Sequence, residues 1–139
     1  MKRRFLYLFA LIFLSSNLSA HPHMFIDMQV TPVFSEKEFE GVKIKWLFDM
    51  VFTGSVLMDN GIEWKQKFST EEIGIIRDTS FINLINYNYY TYFFAGGKMS
   101  RAEEYSDFKA FMQDNRLGYE FFLPYKGRKA NADQIRIAV

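Results

Sequence analysis

Met24-Phe25-Ile26-Asp27-Met28-Gln29-Val30-Thr31-Pro32-Val33 is the stretch whose reading decides the fold. Met24, Ile26, Met28 and Val30 share one parity, and Phe25, Asp27, Gln29 and Thr31 share the other. A period of two marks a half-buried strand, because successive side chains on extended backbone point to opposite faces. The polar turn Ser35-Glu36-Lys37-Glu38 follows, and then a second alternating run over about 40–48. There Val42, Ile44, Trp46 and Phe48 point inward while Lys43 and Lys45 point outward. Two such runs across a short charged turn predict an antiparallel hairpin.

Beyond the hairpin, Asp49 closes the second strand. Residues 50–58 are apolar around Gly54 and fit either a short helix or an irregular link, with Asp59-Asn60-Gly61 as a turn. Ser69-Thr70-Glu71-Glu72 has the spacing of a capping box, and Ile73, Ile76, Phe81, Leu84 and Ile85 recur at roughly helical intervals. They predict a principal helix over about 70–86. The aromatic run 87–94 reads as a strand, turned by Gly96-Gly97. Residues 104–113 and 118–125 read as a further antiparallel pair across Asp114-Asn115-Arg116. Residues 134–139 alternate like a strand and stop there, so a C-terminally shortened chain is expected. The fold class is α+β: one domain over 21–139, mainly antiparallel sheet with one principal helix.

Toward the N-terminus the pattern changes. Lys2, Arg3 and Arg4 precede an apolar run over 5–14 and a small, polar tail ending at Ala20. A run of roughly ten residues suits an export signal and is too short for a bilayer core that needs about twenty. Residues 1–20 therefore read as a signal peptide cleaved after Ala20, which places the mature protein in the periplasm or otherwise outside the cytoplasm. Cleavage removes three of the 17 basic residues and none of the 16 acidic ones. No basic surplus is left to attract nucleic acid or anionic lipid. With no cysteine, lipid attachment through a thiol, disulfides and thiolate metal sites are excluded. The aromatic content of 19% is available for core packing instead.

The two histidines of the sequence are His21 and His23. Cleavage at Ala20 would give His21 a free α-amine, which can close a chelate ring with its own imidazole, while His23 adds a further nitrogen. Such donors suit a divalent transition metal (nickel, cobalt, zinc or copper) rather than calcium or magnesium. Binding should strengthen as pH rises through roughly 6.5–8, where imidazole and amine lose their protons. Pro22 has no amide hydrogen to surrender, so the square-planar site built on deprotonated backbone amides is blocked. Asp27 and Asp49 are the candidate carboxylates. Four residues of strand separate His23 from Asp27 by roughly 13 Å, so Asp49, at the end of the neighbouring strand, is the easier companion. A carboxylate could also act by orienting an imidazole. The competing reading makes the histidines a solvated leader, Asp27 an edge charge and Asp49 a strand cap. Met24, Met28, Met50 and Met58 read as core packing rather than a soft copper site. No remote histidine exists to serve as a hydrolytic base or to complete a copper oxidase site, so no enzyme is expected.

His21-Pro22-His23 directly after the signal, then Phe25-Ile26-Asp27, then Trp46-Leu47-Phe48-Asp49, resembles the domain-of-unknown-function family numbered 1007. The helix followed by the aromatic stretch also looks like that family's middle section. The resemblance implies an exported bacterial protein labelled as a periplasmic component of an uncharacterised ABC-type transport system, often encoded beside metal transporters. It thus implies a membrane metal transporter as partner, with the mature chain itself not spanning the membrane. Many relatives carry an EF-hand-like loop before the helix. In the matching stretch, 61–72, Gln66 stands where the turn glycine belongs and Lys65 replaces an acidic ligand, which argues against calcium. Two readings result: metal binding or delivery through the N-terminal histidines, or an envelope interaction module that uses its aromatic strand surface.

Overall fold

A computed structural model describes residues 24–128 and 130–139. The expected signal peptide, His21 and His23 lie outside the described residues. The alternating stretch forms β1 (Ile26–Ser35), paired antiparallel with β2 (Glu38–Phe48) from Ile26 opposite Phe48 to Ser35 opposite Glu38. The turn between them places Glu36 in the left-handed region, at φ 55°. Asp49 follows β2 and opens α1 (Met50–Asp59). A second helical run begins with α2 (Thr70–Ile76), continues through a π-turn over Arg77–Phe81 and tightens to a 3-10 segment over Ile82–Tyr90. After it come β3 (Tyr92–Ala95), β4 (Lys98–Arg101), β5 (Ser106–Gln113), β6 (Arg116–Pro124) and β7 (Ile135–Ala138).

The strands form two antiparallel sheets. One has the order β1-β2-β6-β5 and the other β4-β3-β7. The architecture is therefore α+β with mainly antiparallel sheet. Pairing of β2 with β6 aligns Val42, Ile44 and Trp46 with Leu123, Phe121 and Tyr119, all at most 1% exposed. Phe81 projects into this layer, its ring centroid 4.3–5.7 Å from those of Tyr89, Tyr105, Phe108, Tyr119 and Phe121. This ring cluster supplies what disulfides cannot, because each aromatic buries a large apolar area. At Gly41, φ is +150°, and a Cβ there would lie 2.2 Å from the Leu123 carbonyl oxygen. Only glycine lets β2 approach β6 so closely at this point.

Three expectations are refined. Residues 50–58 are helical, since Asp49 caps them: its side chain accepts from the Phe52 N–H. The aromatic run 87–94 is not one strand. Tyr87 to Tyr90 complete the helical run, and Asn88, Tyr89 and Tyr90 all adopt left-handed backbone at φ 54°, 50° and 52°. The strand starts only at Tyr92. Met24, Met28, Met50 and Met58 are exposed rather than core. Met28 lies on the edge strand β1 and Met24 just before it, and Met50 and Met58 stand at the two ends of α1, whose buried residues are Thr53, Val56 and Leu57.

Candidate functional site

The corner where β1 begins, β2 ends and α1 starts holds both carboxylates singled out by the sequence. Asp49 directs one oxygen to each element. Oδ1 accepts the Phe52 N–H at 2.8 Å, capping α1, and Oδ2 accepts the Phe25 N–H at 2.7 Å. The Asp49 N–H returns a bond to the Phe25 carbonyl at 3.0 Å. An aspartate in this position satisfies a helix N–H that has no partner inside the helix. The hydrogen bonds from Phe25 and then Phe52 hold its carboxyl below the usual value, with Arg116 adding a smaller favourable charge.

Arg116, the first residue of β6, ties the same corner together from the other side. Its Nε donates to the Phe48 carbonyl at 2.7 Å and one terminal nitrogen to the Leu47 carbonyl at 2.9 Å. The other terminal nitrogen reaches Asp27 Oδ2 at 2.7 Å. Asp27 keeps 76% of its side chain exposed, so this ion pair is open to solvent screening. Thr53, fully buried, completes the join: its hydroxyl donates to the Asp49 carbonyl and accepts the Leu117 N–H.

Asp27 is thus paired with Arg116, while Asp49 is held by the Phe25 and Phe52 N–H groups and feels Arg116 only as a nearby charge. Among the described residues, no cluster of three or more histidine, cysteine, aspartate or glutamate side chains is arranged to hold a metal. Any site at this corner needs donors from outside the described residues. Arg116 was not singled out from sequence. Its partners lie 68, 69 and 89 residues away, and no local pattern announces such a contact.

On the opposite, inner face of the same strand ends lies a cavity of about 480 Å³. Its floor includes Trp46, Phe48 and Tyr119, and Met24 and Ile26 contribute from the start of the chain's described part. Among the described residues, Trp46 Nε1 is buried without a hydrogen-bond partner. Burial pushes the Tyr119 phenol well up, and a hydrogen bond with the Ser80 side chain in the same wall works the other way. Tyr119 is therefore a neutral O–H at any ordinary pH.

An antiparallel α+β domain with a pinned N-terminal strand is the class of protein defined by this geometry. The comparison with known families is more specific. The chain belongs to the family described as "Protein of unknown function (DUF1007)", whose model matches residues 6–139. It is 27% identical over 115 residues to an uncharacterised protein of Haemophilus influenzae, the match covering 81% of this chain. The same match spans 54% of that relative, so the chain corresponds to about half of the relative's length. No solved structure matches the chain. Among the described residues no helix is long and apolar enough to cross a membrane.

Proposed function

We propose that this is a non-enzymatic, exported accessory protein that binds or delivers a divalent transition metal (nickel, cobalt, zinc or copper) for a membrane transporter. His21 and His23, with the amine freed by cleavage after Ala20, supply the nitrogen donors. The observation that carries the reading is the grip of Asp49 on the Phe25 N–H, two residues after His23. The contact supports the reading because Phe25 is close in sequence to the histidines and is held by a carboxylate whose charged form is favoured. Asp49 retains lone pairs beyond those given to Phe25 and Phe52, which suits it to orient an imidazole or complete a ligand set. Asp27, already paired with Arg116, has the lesser part. The chelating amine and imidazoles must be deprotonated, so affinity rises with pH across roughly 6.5–8. Calorimetric titration of the correctly processed protein with each metal ion tests this. Stoichiometric binding should vanish in the His21→Ala/His23→Ala protein, and unchanged binding would reject the site.

A second reading makes the protein an envelope interaction module. Tyr87 and Tyr90 favour it: both are exposed, and their rings stack 5.6 Å apart at 14°. Partner capture that survives a chelator but is lost in Tyr87→Ser would support this reading over metal delivery.

A further inference from the structure

We propose that the outer edge of β1 is a self-association site, on which a second copy of this chain lays its own β1 antiparallel, centred on Met28. This edge is separate from the N-terminal metal proposal and does not depend on it. β1 ends the four-stranded sheet, with β2 on one side and, among the described residues, no strand on the other. Such an edge calls for extended backbone, because a row of unpaired N–H and C=O groups is matched by another strand.

The phase of the hairpin shows which groups are free. At its mouth the Phe25 carbonyl accepts the Asp49 N–H, and the Phe25 N–H donates to the Asp49 carboxylate. Bonded and non-bonded positions alternate along an antiparallel pair. Asp27, Gln29 and Thr31 therefore turn their backbone groups toward β2, while Ile26, Met28 and Val30 turn theirs away from it. Pro32 has the outward phase too, as a residue with no N–H must at a sheet edge.

The other edges are blunted. β4 and β7 are four residues long. β5 has a register shift between Ser106 and Lys109, with Asp107 in the left-handed region at φ 54°. The far half of β1 is itself interrupted by Pro32 and by a shift between Val33 and Phe34. Short strands, prolines and bulges are the devices that prevent edge-to-edge pairing. Residues 26–31 carry none of them, and their one charge, Asp27, is already paired with Arg116.

This window complements itself, which selects a second copy as the occupant. With Met28 opposite the partner's Met28, Ile26 meets the partner's Val30 and Val30 meets the partner's Ile26. These three pairs have the outward phase, so each exchanges two backbone hydrogen bonds. Their side chains are all apolar. Met28 is 38% exposed beside the buried Trp46 of β2, and it gains a neighbour on its open flank. On the opposite face Asp27 stands across from the partner's Gln29, whose amide can donate to it. Shifting the partner by two residues one way opposes Asp27 to the partner's Asp27, which is repulsive. Shifting it the other way sets the donorless Pro32 against Ile26. The two-fold arrangement on Met28 avoids both.

Sedimentation velocity of the processed protein from about 1 to 200 µM should show a monomer–dimer equilibrium, with Kd of roughly micromolar order for so small an interface. Met28→Lys opposes two cations across the pair and should weaken the dimer at least about tenfold. The amides of Ile26, Met28 and Val30 should exchange more slowly as concentration rises. The chain has no cysteine, so crosslinking reads the register directly. Met28→Cys should form a disulfide-linked dimer under diamide, since opposed α-carbons lie about 5.5 Å apart. Gln29→Cys, offset from its counterpart by two residues, should crosslink poorly. A chain that stays monomeric throughout, or a dimer that Met28→Lys leaves intact, would overturn the proposal. So would equal crosslinking at positions 28 and 29. Slow exchange at Ile26, Met28 and Val30 that is independent of concentration would mean that the chain covers its own edge, and would overturn it equally. The cysteine comparison stays decisive even where Met28→Lys fails to fold.

Discussion

Replacing Asp49 with asparagine keeps the shape of the side chain and removes the charge favoured by two backbone N–H groups and by Arg116. The folded protein holds this carboxyl below its value in the unfolded chain, which lies near 3.9. A depressed folded-state pKa contributes stability that is complete above the unfolded value and is lost as pH falls toward the folded one. Asp49→Asn should therefore melt at a lower temperature than the native chain at pH 7. The gap should narrow below about pH 4, where the native carboxylate takes up its proton. Melting curves at pH 7, 5 and 3 check this, and a gap constant across the series would show that the charge is not what matters. From sequence, Asp49 was visible as a strand terminator and a possible ligand. Its capping role follows from the helix behind it, which Gly54 and the β-branched Val51, Thr53 and Val56 made hard to distinguish from a link.

Among the elements, α2 owes its start to a reciprocal cap. The Ser69 hydroxyl accepts the Glu72 N–H at 3.2 Å, and the Glu72 carboxylate accepts the Ser69 N–H at 2.8 Å. Ser69→Ala should lower unfolding free energy by about 1 kcal/mol, measured by urea denaturation. At Gly41 the obstacle is backbone rather than a movable side chain. Gly41→Ala must both occupy a disfavoured φ and push against the Leu123 carbonyl, so a loss of about 1–3 kcal/mol or more is expected. At Gly118 the nearest atoms to an added Cβ are the outer atoms of the Phe111 side chain, which can move, so the matching change should cost less in the same denaturation experiment. The hairpin and this capping box were legible because local signals, period-two alternation and Ser-x-x-Glu, agree with what tertiary packing requires. The run 87–94 misled because aromatics favour strands on average, whereas the helical run here ends in a left-handed turn. Asn88 was its one local sign, asparagine being tolerant of positive φ.

Across the whole molecule, stability should be unevenly spread. β2 and β6 are the inner strands of the four-stranded sheet and carry Ile44, Trp46, Leu117, Tyr119, Phe121 and Leu123, all buried. β4 and β7 are four-residue edge strands of the smaller sheet, and exposed and half-buried residues alternate along β7. Amide hydrogen exchange should therefore be slowest in β2 and β6 and fastest among the strands in β4 and β7. Uniform protection across both sheets would contradict this division. The fold class was readable because a single dominant core leaves little freedom in how amphipathic runs combine. The Asp27–Arg116–Asp49 corner and the cavity were not, since both arise from residues brought together over long separations.

One carboxylate clips the entry to the leading strand and caps the neighbouring helix. Protonating it weakens both contacts at once, so acid should fray the first turn of α1 and the start of β1 together rather than one before the other.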